Sequence, residues 1–188
     1  MIRSFLAIEV PEIILKKIGQ VQEDLKSSHA DVRWVSPEKI HLTLRFFGNI
    51  DESRIEPIVQ SIQRPIQSTA PFSVSVKGVG VFPHLRNPRV IWIGLLDEKK
   101  VLVSFQKRMG EELDKIGFEP EDRPFQAHLT LGRVKSSRGK GGLIERVERC
   151  KEAEIGDFQV ERVILFRSDL RPTGPIYTPL REMRLGNH

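Results

Sequence analysis

A chain of 188 residues, 39% hydrophobic and 29% charged, holds enough apolar material for one domain or for two small lobes sharing a core. The formal net charge of +5 leans towards anionic partners, although 25 acidic residues stand among the 30 basic ones and a solvated surface alone accounts for so small an excess. The single cysteine, Cys150, excludes an internal disulfide and a cysteine-rich zinc cluster; with no signal-peptide layout and no run near the ~20 apolar residues of a membrane span, the expected location is cytoplasmic.

Arg3 to Val10 reads as an opening strand ended by Pro11. In Glu12 to Ser28 the residues Ile14, Ile18, Val21 and Leu25 fall on one helical face. Asp31 to Val35 reads as a short strand and Ser36-Pro37-Glu38 as a turn or a single helical turn. A strand over Ile40 to Phe46 follows, stopped by Gly48-Asn49. Asp51 is a good N-cap for a helix carrying Ile55, Val59, Ile62 and Ile66, with Pro57 and Pro65 limiting its length.

Phe72 to Val81 alternates apolar and polar residues as a strand does, and a turn-rich stretch through Pro83 and Pro88 leads into a strand over Arg89 to Leu95. Asp97 opens a helix with Val101, Leu102, Phe105, Met109, Leu113 and Ile116 inward, stopped by Gly117. A loop with Pro120 and Pro124 precedes a strand around His128. Ser136 to Gly142 reads as a mobile basic loop, Leu143 to Cys150 as a short helix and Phe158 to Phe166 as a strand. A turn at Arg171 to Pro175 then leads to a last strand, Ile176 to Leu185.

Two of these strands carry the same tetrapeptide, His41-Leu42-Thr43-Leu44 and His128-Leu129-Thr130-Leu131. Side chains alternate along a strand, so in each copy His and Thr share one face and the leucines take the other. A lone His-Thr pair is ordinary strand composition. Two identical copies, each preceded by a strand, an amphipathic helix and a loop, indicate an internal duplication, with Phe72 and Phe158 opening matching third strands. The expected fold is α+β: one bilobal unit over 1–188, with two mainly antiparallel sheets backed by helices and the active cleft between them.

Two displayed imidazoles suit a general acid and a general base, since histidine titrates near neutral pH, and the threonine hydroxyls suit phosphate oxygens. A metal site is not expected, because no HExxH, cysteine pair or carboxylate at ligand spacing accompanies the histidines. Gly139-Lys140-Gly141-Gly142 lacks P-loop spacing, so its expected role is surface, with Arg138 or Lys140 as a phosphate contact at most. His29, His84 and His188 carry no comparable pattern; His84 keeps some interest beside Phe82, Arg86 and Arg89.

At the paired HLTL motifs the chain resembles the 2H phosphoesterase superfamily, and within it the RNA 2′,3′-cyclic phosphodiesterases historically called 2′-5′ RNA ligases. The resemblance extends through RSFLAIEVP, HLTLRFFGNI, VFPHLRNPRVIWIGL and RPFQAHLTLGRV. It implies metal-free, cofactor-free hydrolysis of 2′,3′-cyclic phosphate at RNA ends or on nucleotides to a 2′-phosphomonoester, with His128 as base, His41 as acid, and Thr43 and Thr130 holding the non-bridging oxygens.

Arg133 matches a family arginine that helps bind phosphate. It stands five positions after His128, and a regular strand would turn it to the opposite face unless Gly132 supplies a bulge. Arg45, four positions after His41, has the correct parity and is the second phosphate candidate. Phe46, Phe82 and Tyr177 are candidates for stacking on a base. Two other functions are compatible with this sequence: 2′-5′ ligation at the same site, and a non-catalytic RNA-binding module. The expected oligomeric state is a monomer, since the duplication already supplies both sides of a cleft.

Overall fold

The computed structural model describes residues 1–186, so His188 lies outside the described residues. The first part of the chain gives β1 (Ile2–Glu9), α1 (Glu12–Lys26), β2 (Val32–Trp34), β3 (His41–Ile50), α2 (Ile55–Gln67) and β4 (Phe72–Phe82). The remainder gives β5 (Val90–Leu96), α3 (Val101–Lys115), β6 (His128–Val134), α4 (Lys140–Arg149), β7 (Glu154–Val160), β8 (Arg162–Asp169) and β9 (Ile176–Arg184). The strands form two sheets, ordered β3-β1-β8-β9 and β2-β6-β5-β4-β7, and each ladder is antiparallel.

The duplication is present, but its halves are interwoven. β4 leaves the first half to pair with β5, and β8 leaves the second half to pair with β1. The helices cross as well: α1 packs against α4 and β7 of the five-stranded sheet, whereas α3 packs against α2, which touches β9 of the four-stranded sheet. Each lobe is thus built from both halves of the sequence. Leu6, Ile8, Leu42 and Leu44 of one sheet and Ile91, Ile93, Leu129 and Leu131 of the other belong to one buried cluster. At ~1.5–3 kcal/mol for each fully buried aliphatic side chain, this shared core fixes the two sheets together.

Several expectations are corrected. The strand expected over Phe158 to Phe166 is broken at Glu161 and serves both sheets: Phe158 of β7 pairs with Val74, while Phe166 of β8 pairs with Phe5. Phe158 is therefore not the counterpart of Phe72; the counterpart relation runs from Phe82, opposite Val90, to Phe166, opposite Phe5. Gly48-Asn49 does not end β3. The strand bulges at Phe47, Gly48 takes φ +69°, and pairing continues to Ile50.

α2 accommodates Pro57 in its first turn, where no intrahelical N–H bond is due, and Pro65 in its last. The stretch read as a mobile loop already belongs to α4 from Lys140. There Gly139, at φ +69°, lies so close to Ala30 that a Cβ would fall 2.7 Å from its Cα, and the Lys140 ammonium donates to the Arg86 carbonyl at 2.9 Å. On α1 the buried stripe is Ile14, Ile18, Gln22 and Leu25, with the amide of Gln22 in the place expected for Val21.

Candidate active site

Each HLTL motif ends in a β-bulge, and both bulges fall at the same residue. On β3, Ala7 pairs with Thr43 and Leu6 with Arg45, leaving Leu44 as the extra residue. On β6, Trp92 pairs with Thr130 and Ile91 with Gly132, leaving Leu131 extra. A bulge resets side-chain alternation. His, Thr and the sixth residue of each motif consequently share a face, while the fifth residue turns towards the core with the leucines.

The two arginines consequently fall on opposite faces. Arg133, sixth in its motif, is exposed on the face of His128 and Thr130, and the parity objection to it is removed by the bulge at Leu131. Arg45, fifth in its motif, is 7% exposed on the core face beside Leu6, and its guanidinium donates to the Glu119 carbonyl. It is separated from His41 and Thr43, which corrects its reading as a phosphate ligand. Its counterpart is Gly132, where a Cβ would lie 2.7 Å from Val32 Cγ1 on β2. At β3, the edge of its sheet, no such strand intervenes, and the position has room for a long side chain.

The imidazoles are tied in the same way. His41 Nδ1 lies 2.9 Å from the Lys39 carbonyl and His128 Nδ1 lies 2.6 Å from the Gln126 carbonyl. A carbonyl only accepts, so Nδ1 carries the proton and Nε2 remains as the working nitrogen of each ring. His41 stacks on Phe5 with centroids 4.8 Å apart and meets Tyr177 edge-on at 5.2 Å. Burial in this aromatic setting pushes the His41 pKa down, opposed by the bond to Lys39. His128 meets Phe82 edge-on at 5.1 Å, and Phe82 leans on Trp92 at the same separation.

The two motif strands are neighbours across the sheets. β3 packs against β6. Burial raises the Tyr177 phenol, and the charges of Arg133 from the five-stranded sheet and Arg3 from its own sheet oppose that rise. Arg133 and Tyr177, the ring that touches His41, thus lie within electrostatic reach of each other although they belong to different sheets. Thr43 is exposed and Thr130 half-buried on the two faces. Phe46, 43% exposed, carries the Arg3 guanidinium 4.4 Å over its ring, so it has one free face at most for stacking. Phe82 and Tyr177 are half-buried supports of the two histidines.

Other candidates lie elsewhere. Lys140 lines a cavity of about 370 Å³ with Arg89, Lys135, Ser136 and Ser137 at the end of β6, and Arg138 lies 3.9 Å from Asp31. His84 accepts from the Asn87 amide in its own turn, and His29 is exposed at φ 55°. Among the described residues no group of three or more His, Cys, Asp or Glu side chains is placed to hold a metal ion. No described helix is long and apolar enough to cross a membrane.

Sequence reasoning missed Phe5, on which His41 stacks, and Arg3, which covers Phe46, because neither carries a motif of its own. It also missed Gln22 and Gln106, whose amides reach the bulged leucines. A polar residue standing in the apolar stripe of α1 was the available signal for the first of these.

A duplicated pair of neighbouring histidine-threonine strands, bulged alike, defines a two-histidine phosphoesterase-like architecture. The chain belongs to the LigT like phosphoesterase family, whose pattern matches twice in succession, over residues 8–92 and 93–177. It is 38% identical over 184 residues to the RNA 2′,3′-cyclic phosphodiesterase of Methanothermobacter thermautotrophicus, covering 98% of this chain and 99% of that one. It is 36% identical to the RNA 2′,3′-cyclic phosphodiesterase of Thermotoga maritima, covering 96% and 94%. Among solved structures, TT0787 of Thermus thermophilus superposes with a TM-score of 0.83 at 28% identity, covering 99% of this chain and all of that one. E. coli LigT complexed with 3′-AMP shares the fold, with a TM-score of 0.77 at 23% identity and 99% coverage of each chain.

Proposed function

We propose that this protein hydrolyses the 2′,3′-cyclic phosphate of RNA ends, and of nucleotides bearing one, to a 2′-phosphomonoester. The observation that carries the reading is the matched pair of imidazoles, each with Nδ1 held by the carbonyl two residues before it and Nε2 free on the face of its threonine. The activity named for the full-length relatives supports the substrate class.

In this reading His128 Nε2 takes a proton from water as the oxygen attacks phosphorus. The bond from phosphorus to the 3′ oxygen breaks, and protonated His41 delivers its proton to that oxygen. Thr43 and Thr130 donate to the non-bridging oxygens, and Arg133 balances the charge that gathers on them. A 3′ hydroxyl and a 2′-phosphate result, and the proton held by His128 returns to solvent. Burial of His41 lowers its proton affinity, and the anionic phosphate opposes that on binding. The ring is then held protonated beside the leaving oxygen.

The test is incubation of an RNA oligomer ending in a 2′,3′-cyclic phosphate, with EDTA present, followed by phosphorus NMR. A 2′-phosphate product formed by the native protein and lost in His41→Ala and His128→Ala is the expected result. A 3′-phosphate would overturn the acid–base geometry, and a reaction that returns only with added metal would overturn the mechanism.

A further inference from the structure

A bulge displaces the carbonyl of its extra residue from the regular ladder, and a buried carbonyl needs a partner. On β6 the Leu131 carbonyl accepts from the Val35 N–H at 2.9 Å and from Gln22 Nε2 at 2.9 Å, and the same Nε2 donates to the Val35 carbonyl at 2.8 Å. On β3 the Leu44 carbonyl accepts from Gln106 Nε2 at 3.3 Å. Gln22 comes from α1 and Gln106 from α3, so each bulge is held by the helix of the other sequence half.

Gln22 is 1% exposed, and its Oε1 has no hydrogen-bond partner among the described residues. Burying an amide with its oxygen unpaired is costly. At this place in an apolar stripe, what the amide contributes is its N–H groups, both directed at carbonyls around the bulge.

We infer that Gln22 and Gln106 are positioning residues, locking the two bulges and so presenting the sixth residue of each motif, Arg133 and Phe46, to the substrate. The inference rests on the proposed phosphodiester hydrolysis and deepens it: the glutamines touch no reacting atom and act through the strand. Without the amide, the Leu131 segment gains freedom to relax towards regular alternation, which would rotate Arg133 away from the Thr130 face.

A double-mutant cycle tests this, with Gln22→Met, which keeps the apolar length, and Arg133→Met. The readouts are turnover of a nucleoside 2′,3′-cyclic phosphate and affinity for the nucleoside 2′-phosphate. Gln22→Met is expected to raise KM and weaken product binding about 3- to 10-fold, the scale of one hydrogen bond, with kcat changed less. On the Arg133→Met background it should add nothing. A Gln22→Met protein that melts lower but binds product as the native protein does overturns the inference, as does an equal loss on both backgrounds.

Should Gln22→Met fail to fold, Gln106→Met with Phe46→Leu forms the same cycle on the other strand, and an additive result there overturns the inference. Native protein that turns over no cyclic phosphate sinks the functional reading instead. The glutamine–arginine coupling is then read from inorganic phosphate binding alone.

Discussion

Two arginines close to the two histidines in sequence should give opposite signatures when replaced by methionine. Arg133 is exposed on the face of His128 and Thr130, so Arg133→Met should change folding stability by no more than ~0.5 kcal/mol. If it donates a charged hydrogen bond to a phosphate oxygen, its loss costs ~1.5–3 kcal/mol of transition-state binding, about 10- to 150-fold in kcat/KM. Arg45 is 7% exposed on the core face and donates to the Glu119 carbonyl. Arg45→Met loses a hydrogen bond from a charged donor, ~1.5–3 kcal/mol of stability, and at ~2–4 °C per kcal/mol for a chain of this size the melting temperature should fall by ~3–12 °C. Its kcat/KM per folded molecule, measured well below that transition, should stay within about twofold of native. Thermal denaturation and initial rates on a nucleoside 2′,3′-cyclic phosphate separate the two. A folded Arg45→Met protein with the catalytic loss of Arg133→Met would refute the placement of the two side chains by the bulges.

Further outcomes follow from other parts of the site. Because burial lowers the His41 pKa, its imidazole should titrate below the ordinary ~6.5 of histidine in proton NMR of the free protein, and at higher pH with inorganic phosphate bound. A midpoint that phosphate leaves unmoved would refute the placing of His41 beside the phosphate. Gly132→Ala places a methyl 2.7 Å from Val32 Cγ1 and 3.0 Å from Trp34 Cε3, so β2 must shift, and a loss of ~1–3 kcal/mol is expected in chemical denaturation. A variant as stable as native would show that the close approach is soft. Gly80→Ala puts a Cβ 2.3 Å from Trp92 Cζ2, forcing the indole off β4 and away from Phe82, the ring that supports His128. Tryptophan emission should shift and turnover should fall; unchanged emission would refute the contact.

Much of the fold was legible in sequence because period and punctuation agree. The stripes of α2 and α3, the alternation of β4 and the paired HLTL strands are local signals that tertiary packing reinforces. What was not legible are the points where one residue changes the frame. Nothing in FQVERVILF marks Glu161 as the place where the chain leaves one sheet for the other, because both flanking segments are apolar enough to be buried strands. Leucine at positions 44 and 131 fits a regular strand and a bulge equally well, since either way it points to the core. Parity counting therefore favoured Arg45 and objected to Arg133, the reverse of the structural placement. The threonines and histidines stood before the bulge, and for them alternation gave the right face.

The two halves of this duplicated site are unlike, and the unlikeness is confined to what surrounds a shared backbone device. Both motifs keep the bulged leucine, the carbonyl on Nδ1 and a glutamine from the opposite half. They differ at the fifth residue, where Gly132 admits β2 and Arg45 fills an open edge, and at the sixth, where Arg133 brings charge and Phe46 a ring already capped by Arg3. They also differ beneath the imidazoles. His41 is enclosed by Phe5 and Tyr177, which removes water from it and disfavours its proton, whereas the aromatic contact of His128 is Phe82 at its edge. The motif cation on the exposed face, Arg133, thus stands on the His128 strand, and its charge is felt by the tyrosine beside His41. An anion bound beside His41 would therefore meet an imidazole whose proton burial disfavours and would favour that proton again, whereas no such enclosure by two aromatic rings surrounds His128.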